Sequence, residues 1–277
     1  MIREQESAGS GVTGAMKLKV DVIEPEKSLT VKWKGIPSGL DGWNNSPRKE
    51  VAAYAVQKLF LEPRDYVVPT TVMRCFETAA VGELLNEVRP NVADGRCTLG
   101  MLTVWLDESR PEKNPLDLAR FSDDANYAYH VANFNVLTYL VDHRDGRFGN
   151  FLVSKDERDR RVFAIDNGIS FEPLVYNYFV TNWNVLYVPA ISKSAVDKLR
   201  QVGPGDLRRL GVVAELRRDR DGIYRNCPPG ENLDPQVGAK ARDGIIQFGL
   251  TADEIDALHD RLVALLAAVD SGVLATF

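Results

Sequence analysis

The chain is poor in cysteine: three in 277 residues, Cys75, Cys97 and Cys227. An odd number, widely spaced and without a C-x-x-C pair, supplies neither a disulfide framework nor a tetrahedral zinc site. Three reduced thiols are the expectation. Histidine is as scarce. His130, His143 and His259 stand at no ligand spacing, which argues against a histidine metal centre. Basic residues are not in excess, since 34 Lys and Arg against 39 Asp and Glu give a net charge of −5. A nucleic-acid binder would show the opposite balance or a basic stripe. Long apolar runs are missing too. The longest, Leu262–Val269, falls well short of the roughly 18 residues of a membrane span. The N-terminal MIREQESAGSGVTG has no apolar core of a secretory signal. A soluble cytoplasmic enzyme without nucleic-acid partners is the expectation.

What is present is a 44% hydrophobic chain long enough for one large domain or a two-lobed one. Near the N-terminus, MKLKVDV (16–22) and SLTVKWK (28–34) alternate as strands, with Leu29, Val31 and Trp33 on one face and Thr30, Lys32 and Lys34 on the other. The glycine-rich AGSGVTG (8–14) precedes them. Ser46 and Pro47 signal the start of a helix through RKEVAAYAVQKLFL. Strands are predicted over 65–73 and 98–106, with a short helix over 77–88 between them. The proline-punctuated DESRPEKNP (107–115) marks a lobe boundary. Beyond it a helix is predicted over 123–142, and the last hundred residues read as mainly helical, over 194–202, 206–217 and 251–266. Thr251 followed by Glu254 is a capping box.

Chemistry concentrates in HRDGRFGNFLVSKDERDRRVFAIDNGISFE (143–172). Two short apolar runs, 151–153 and 162–165, flank a charged turn and predict an antiparallel hairpin whose open end brings Asn150 beside Asp166. An amide oxygen and a carboxylate there can hold a hard cation, and a further carboxylate, Asp145, can take the proton of an attacking hydroxyl. His143-Arg144-Asp145 with Asn150 five positions on reproduces the H-R-D-x-x-x-x-N catalytic loop, and Asp166-Asn167-Gly168 stands where D-F-G would. A strand lysine and a helix glutamate should accompany them. Lys32 and Glu50 fill those places, with Lys34 on the same strand face as the rival lysine. Gly9 and Gly14 are spaced as in a phosphate loop, but Ala15-Met16 replaces Lys-Ser/Thr, so this is not a Walker A.

At these residues the sequence resembles the atypical branch of the kinase superfamily. AIDNGISF preceded by GNFLV resembles the metal-binding segment of type II phosphatidylinositol 4-kinases, within the phosphatidylinositol 3- and 4-kinase-like group, and of their bacterial relatives. RKEVAAYAVQKLFLEPRDYVVPTTV is similar to the glutamate-bearing helix and following strand of those enzymes and of the Golgi casein kinase-like family. The resemblance implies a two-lobed α+β protein-kinase-like fold. Residues 1–106 would be an N-lobe of antiparallel sheet plus one key helix, and 107–277 a mainly helical C-lobe. It implies Lys32 on the α- and β-phosphates of ATP, Glu50 pairing with it, Asp145 as catalytic base, and Asn150 and Asp166 on Mg²⁺, with Mn²⁺ as the alternative. Gly11 would cover the phosphates, and Thr103, Val104, Trp105 and Leu106 would form the hinge beside adenine. The implied activity is phosphotransfer to a hydroxyl, a protein Ser/Thr being preferred to an inositol lipid. Asn167 in place of Phe, and no A-P-E after it, depart from conventional protein kinases. A small-molecule phosphotransferase of the aminoglycoside or choline kinase type, a nucleotide-binding pseudokinase, and AMP transfer are the alternatives.

Overall fold

The computed structural model describes all residues but 1, 8–14, 23–25, 43–45, 79–90, 93–95, 148 and 172–181. Gly11, and the helix expected over 77–88 from residue 79 onward, lie outside the described residues.

Alternation dictates the first sheet. In β2 (Met16–Val22) and β3 (Lys27–Gly35) every second residue is apolar, so Leu18, Val20, Val31 and Trp33 bury one face and leave the lysines on the other. With β1 (Ile2–Ser7), β4 (Thr71–Glu77) and β5 (Cys97–Val104) they form a five-stranded antiparallel sheet in the order β1-β2-β3-β5-β4. The strand expected over 65–73 starts later, at Thr71. Pro69, which has no N–H for the ladder, lies just before it. A disulfide joins Cys75 to Cys97 across β4 and β5, which corrects the expectation of three reduced thiols. Cys227 alone is free.

Between β3 and β4 runs α1 (Pro47–Gln57), begun by a proline whose fixed φ suits the first helical position. Asp117 and Asp124 cap α2 (Leu118–Asp123) and α3 (Ala125–Leu140) by accepting backbone N–H bonds. α3 is buried nearly all round and centres the largest core, where Phe134 meets Phe151 and Trp183 edge-on. The predicted hairpin forms as β7 (Phe151–Ser154) and β8 (Val162–Ala164), with β6 (Ser109–Pro111) added at the β7 edge.

The C-terminal third departs from its helical expectation. After β9 (Ala190–Ile191), α4 (Lys193–Leu199) and α5 (Pro204–Arg208), residues 214–248 build a second sheet. Its strands are β10 (Ala214–Arg218), β11 (Tyr224–Cys227), β12 (Ala239–Arg242) and β13 (Ile245–Phe248), all antiparallel in the order β11-β10-β13-β12. The predicted helix over 206–217 is thus a single short helix followed by a strand. Leu216, Ile246 and Phe248 pack with Met73, Leu99 and Met101 of the first sheet and with Val51 of α1, so the second sheet backs the first. The chain ends with α6 (Ala252–Asp270), opened by the expected Thr251–Glu254 capping box, and β14 (Ala275–Thr276) beside β9.

Candidate active site

The lysines come first, because β3 fixes their direction. Two residues apart, Lys32 and Lys34 project from the same face, and both ammoniums reach one oxygen of Asp166: Nζ lies 3.4 Å and 3.3 Å from Oδ1. They differ in depth. Lys34 is buried and also lies 3.9 Å from Oε1 of Glu50, whereas Lys32 stays partly exposed at 19%. The lysine that the structure pairs with Glu50 is therefore Lys34, not the expected Lys32. Lys32 instead faces Lys17 across β2 and Thr103 across β5.

Glu50 is brought to the lysines by α1, in whose first turn it sits. Its Oε2 accepts the backbone N–H of Asn167 at 2.9 Å, and its Oε1 has no hydrogen-bond partner. Burial raises its carboxyl to about 7, the negative charge of Asp166 adds to the rise, and Lys34 and Lys32 work against it. Asp166 goes the other way. Desolvation would raise it, but the ammoniums of Lys32 and Lys34 hold it well below the usual carboxylate range.

The hairpin delivers Asp166 with a register one residue different from the prediction. Phe151 pairs with Ala164, and the Ile165 N–H bonds the Asn150 carbonyl at 2.9 Å, so Ile165 rather than Asp166 lies across from Asn150. Asp166 then leaves the strand at φ 61°, a left-handed conformation that Asp tolerates better than bulkier residues. The Asn150 amide is held by its Nδ2, which donates to the Asp145 carbonyl at 2.9 Å and so ties the second candidate metal ligand to the candidate base.

Asp145 is 4% exposed, and both its oxygens are engaged: Arg147 Nε and Nη2 each approach to 2.5 Å. Arg147 escaped the sequence reading, although a basic residue two positions after the base is visible in HRDGR. His143 is packed against Phe151, its Nδ1 accepts the Asp145 N–H at 3.4 Å, and its carbonyl accepts the Trp183 N–H. Burial lowers the imidazole to about 4 against the pull of Asp145, Asp166 and Asp142, so at neutral pH it is an uncharged packing group.

Thr103 and Val104 end β5 beside Lys32 and Val31, and the Trp105 N–H bonds the Thr30 carbonyl at 2.9 Å. Trp105 carries the ammonium of Lys17 over its ring at 5.0 Å, and the Leu106 carbonyl accepts the Ser109 hydroxyl. The segment expected as a hinge therefore continues directly from the sheet that holds the lysines.

Donor chemistry can be tested against a divalent cation. Among the described residues no three His, Cys, Asp or Glu side chains form a metal-binding group. Asp166 and Asn150 offer oxygens of the hard type that Mg²⁺ takes, and the remainder of an octahedron would come from phosphate and water. This set fits an ion that arrives with a nucleotide.

No family model and no curated protein matches the sequence. Solved structures do. The chain superimposes on the hydra Fam20 structure with sugar at TM-score 0.55, 15% identity, over 98% of this chain and 85% of that one. It superimposes on the Golgi casein kinase at TM-score 0.52, 12% identity, over 97% and 73%. The fold is kinase-like. At such identities the likeness is one of fold, and it falls on the Golgi casein kinase side of the resemblances drawn from the sequence. No helix among the described residues is long and apolar enough to cross a membrane.

Proposed function

We propose that this chain is an atypical kinase that transfers the γ-phosphate of ATP to a hydroxyl, with a protein Ser/Thr as the preferred acceptor. One observation carries the reading. Lys34 and Glu50 meet Asp166, more than a hundred positions further along the chain, in one partly buried ion network on a kinase-like fold. A purely structural network would gain little from it, because the desolvation of Lys34 and Glu50 offsets most of what their pairing returns. Lys34, positioned by Glu50, and Lys32 beside it bind and orient the phosphates. Asp166 and Asn150 hold Mg²⁺, which when bound neutralises phosphate charge. Asp145 accepts the acceptor's proton as its oxygen bonds to phosphorus, and the bond from phosphorus to the bridging oxygen breaks toward ADP.

Arg147 covers Asp145, so its guanidinium must move before the carboxylate can take a proton. The vacated Arg147 is then free to meet the transferring phosphate. The division into lobes at 106/107 and the hinge role of Thr103–Leu106 belong to the same proposal. The Cys75–Cys97 bridge favours an oxidising compartment over the cytoplasmic expectation.

The test is thermal melting with ATP and Mg²⁺, alone and together, followed by phosphate transfer from labelled ATP. Wild type should shift upward only with both ligands, by mass action on the native state. Asp166→Ala should lose the shift. Asp145→Asn should keep it while losing turnover by several orders of magnitude, because the base acts in the transition state. No shift at millimolar Mg-ATP refutes the nucleotide site, and a shift without turnover on casein-type protein, inositol lipid or sugar acceptors favours the pseudokinase.

A further inference from the structure

Helix α1 begins with two cations, Arg48 and Lys49, at the end where the helix dipole disfavours positive charge. Arg48 is not left to solvent. Its side chain is 9% exposed, and every nitrogen of the guanidinium is engaged. Nε donates to Asp41 at 2.6 Å. Nη1 donates to Glu254 Oε2 at 2.6 Å and to the Gly249 carbonyl at 3.1 Å, and Nη2 donates to Glu254 Oε1 at 3.0 Å. Lys49 adds a further contact to Glu254 at 3.6 Å.

Glu254 is the third residue of α6, and its Oε2 also accepts the Thr251 N–H at 2.9 Å in the capping box. One carboxylate thus serves the N-termini of two helices, α1 and α6. Backbone is packed to accommodate the fork: a Cβ at Gly238 would fall 2.4 Å from Arg48 Nη1, and the Gly249 N–H bonds the Gly238 carbonyl at 2.8 Å. On its other side the same first turn is tied to the Asp166 segment. Ser46 N–H donates to the Gly168 carbonyl at 3.1 Å, and Glu50 accepts from Asn167.

We infer that the bidentate Arg48–Glu254 clamp is a positioning device through which α6 sets the placement of Glu50 against Lys34. Arg48 and Glu254 touch no reacting atom. They hold the first turn of α1 in the one orientation that points Glu50 at Lys34 and the Asn167 N–H. The C-terminal helix, far from the cleft in sequence, becomes a fixed stop for the helix that carries Glu50. Whatever displaces the Thr251–Glu254 turn would withdraw Glu50 from the lysines. The inference rests on the proposed nucleotide site for its meaning, but the contact it describes can be read without nucleotide.

The experiment compares wild type with Arg48→Lys, Arg48→Glu, Glu254→Arg and Gly238→Ala. Two readouts are taken on the full chain at a temperature where each variant melts cooperatively. The first is the rate at which an amine-reactive acylating reagent modifies Lys34, located by peptide mass, with Lys32 in the same peptide as internal reference. The second is Mg-ATP affinity by calorimetry. In wild type Lys34 should be protected relative to Lys32. Each charge reversal, and Gly238→Ala, should raise Lys34 labelling and weaken Mg-ATP about 10-fold, the scale seen when a supporting partner is lost. Arg48→Lys should lose less of both than Arg48→Glu, since Lys keeps the charge but lacks the fork.

Folded single variants with wild-type Lys34 labelling overturn the inference and reduce the clamp to a structural ion pair. So does an Arg48→Lys variant no better than Arg48→Glu. If wild type binds no Mg-ATP, the kinase reading fails, while the labelling series still decides the clamp.

Discussion

His143 gives a test in which burial outweighs the pull of Asp145, Asp166 and Asp142. Its ring is enclosed by Phe151 and the residues around it, Nε2 has no hydrogen-bond partner, and burial lowers it from 6.5 to about 4. Above pH 6.5 the imidazole is neutral whether the chain is folded or not, so it contributes nothing to pH dependence. As pH falls from 6.5 toward 4, the unfolded chain takes up the proton and the folded one does not, and stability is lost progressively. A displacement of about 2.5 units at 1.36 kcal/mol each makes the full loss about 3 kcal/mol, complete near pH 4. The perturbation is His143→Phe, which keeps an aromatic ring and removes the titration. It introduces a pH-independent packing offset of about 1–3 kcal/mol, because the new ring is larger. The assay is guanidinium unfolding followed by tryptophan fluorescence at half-unit steps from pH 4 to 7.5, without metal. Other titrating groups cancel in the difference between the two proteins. That difference should change by about 3 kcal/mol across the window, wild type gaining relative to the variant as pH rises. A flat difference, within 1 kcal/mol, would mean that His143 charges freely in the folded state and that the burial argument is wrong.

Glu50 should give the opposite sign: its carboxyl is raised by burial to about 7, so wild type compared with Glu50→Gln should lose about 3 kcal/mol as pH rises from 4.5 through 7, measured by the same unfolding series. The two lysines should separate in a nucleotide-binding assay. Lys34→Ala should abolish measurable Mg-ATP binding, while Lys32→Ala weakens it with Mg²⁺ dependence retained; the reverse order would return the phosphate role to Lys32. Reduction, or Cys75→Ser, should lower stability by about 3 kcal/mol, the expectation for a bridge closing a loop of this length, read as a lower denaturant midpoint.

Legibility in the sequence followed the range of the signal. The 151–164 hairpin, the Pro47 helix start and the Thr251–Glu254 cap were readable because alternation, proline and capping residues act within a few positions. The second sheet was not. Its strands, AELRR, YRNC, AKAR and IIQF, are four or five residues long and all but the last carry charge, and DLRRLGVVAELRR has the apolar spacing of a helix. Packing against Met73, Leu99 and Met101 overrides that local preference. The choice between Lys32 and Lys34 could not be made from a period of two, which places both on one face and says nothing of depth. The Cys75–Cys97 pairing needed the β4–β5 register, in which Cys75 opposes Leu99 and Cys97 opposes Glu77. Arg48 did leave a trace, as a cation in a helix first turn, and Arg147 another, two residues after the candidate base.

The second sheet also bears on how the chain is made. Met73, Leu99 and Met101 bury one face of the first sheet against Leu216, Ile246 and Phe248, residues that a ribosome adds long after them. From Val104, where the first sheet is complete in sequence, to Phe248 it must polymerise 144 further residues, which takes roughly 7 to 29 s at cellular rates. Throughout that interval the nascent sheet shows an apolar face covered only in part, by Ile36 and Val51. A chain cut short before Ala214 should therefore be captured by chaperones or precipitate instead of surviving as a free N-terminal lobe, and emergence of the second sheet, not of the first, should mark the onset of protease resistance.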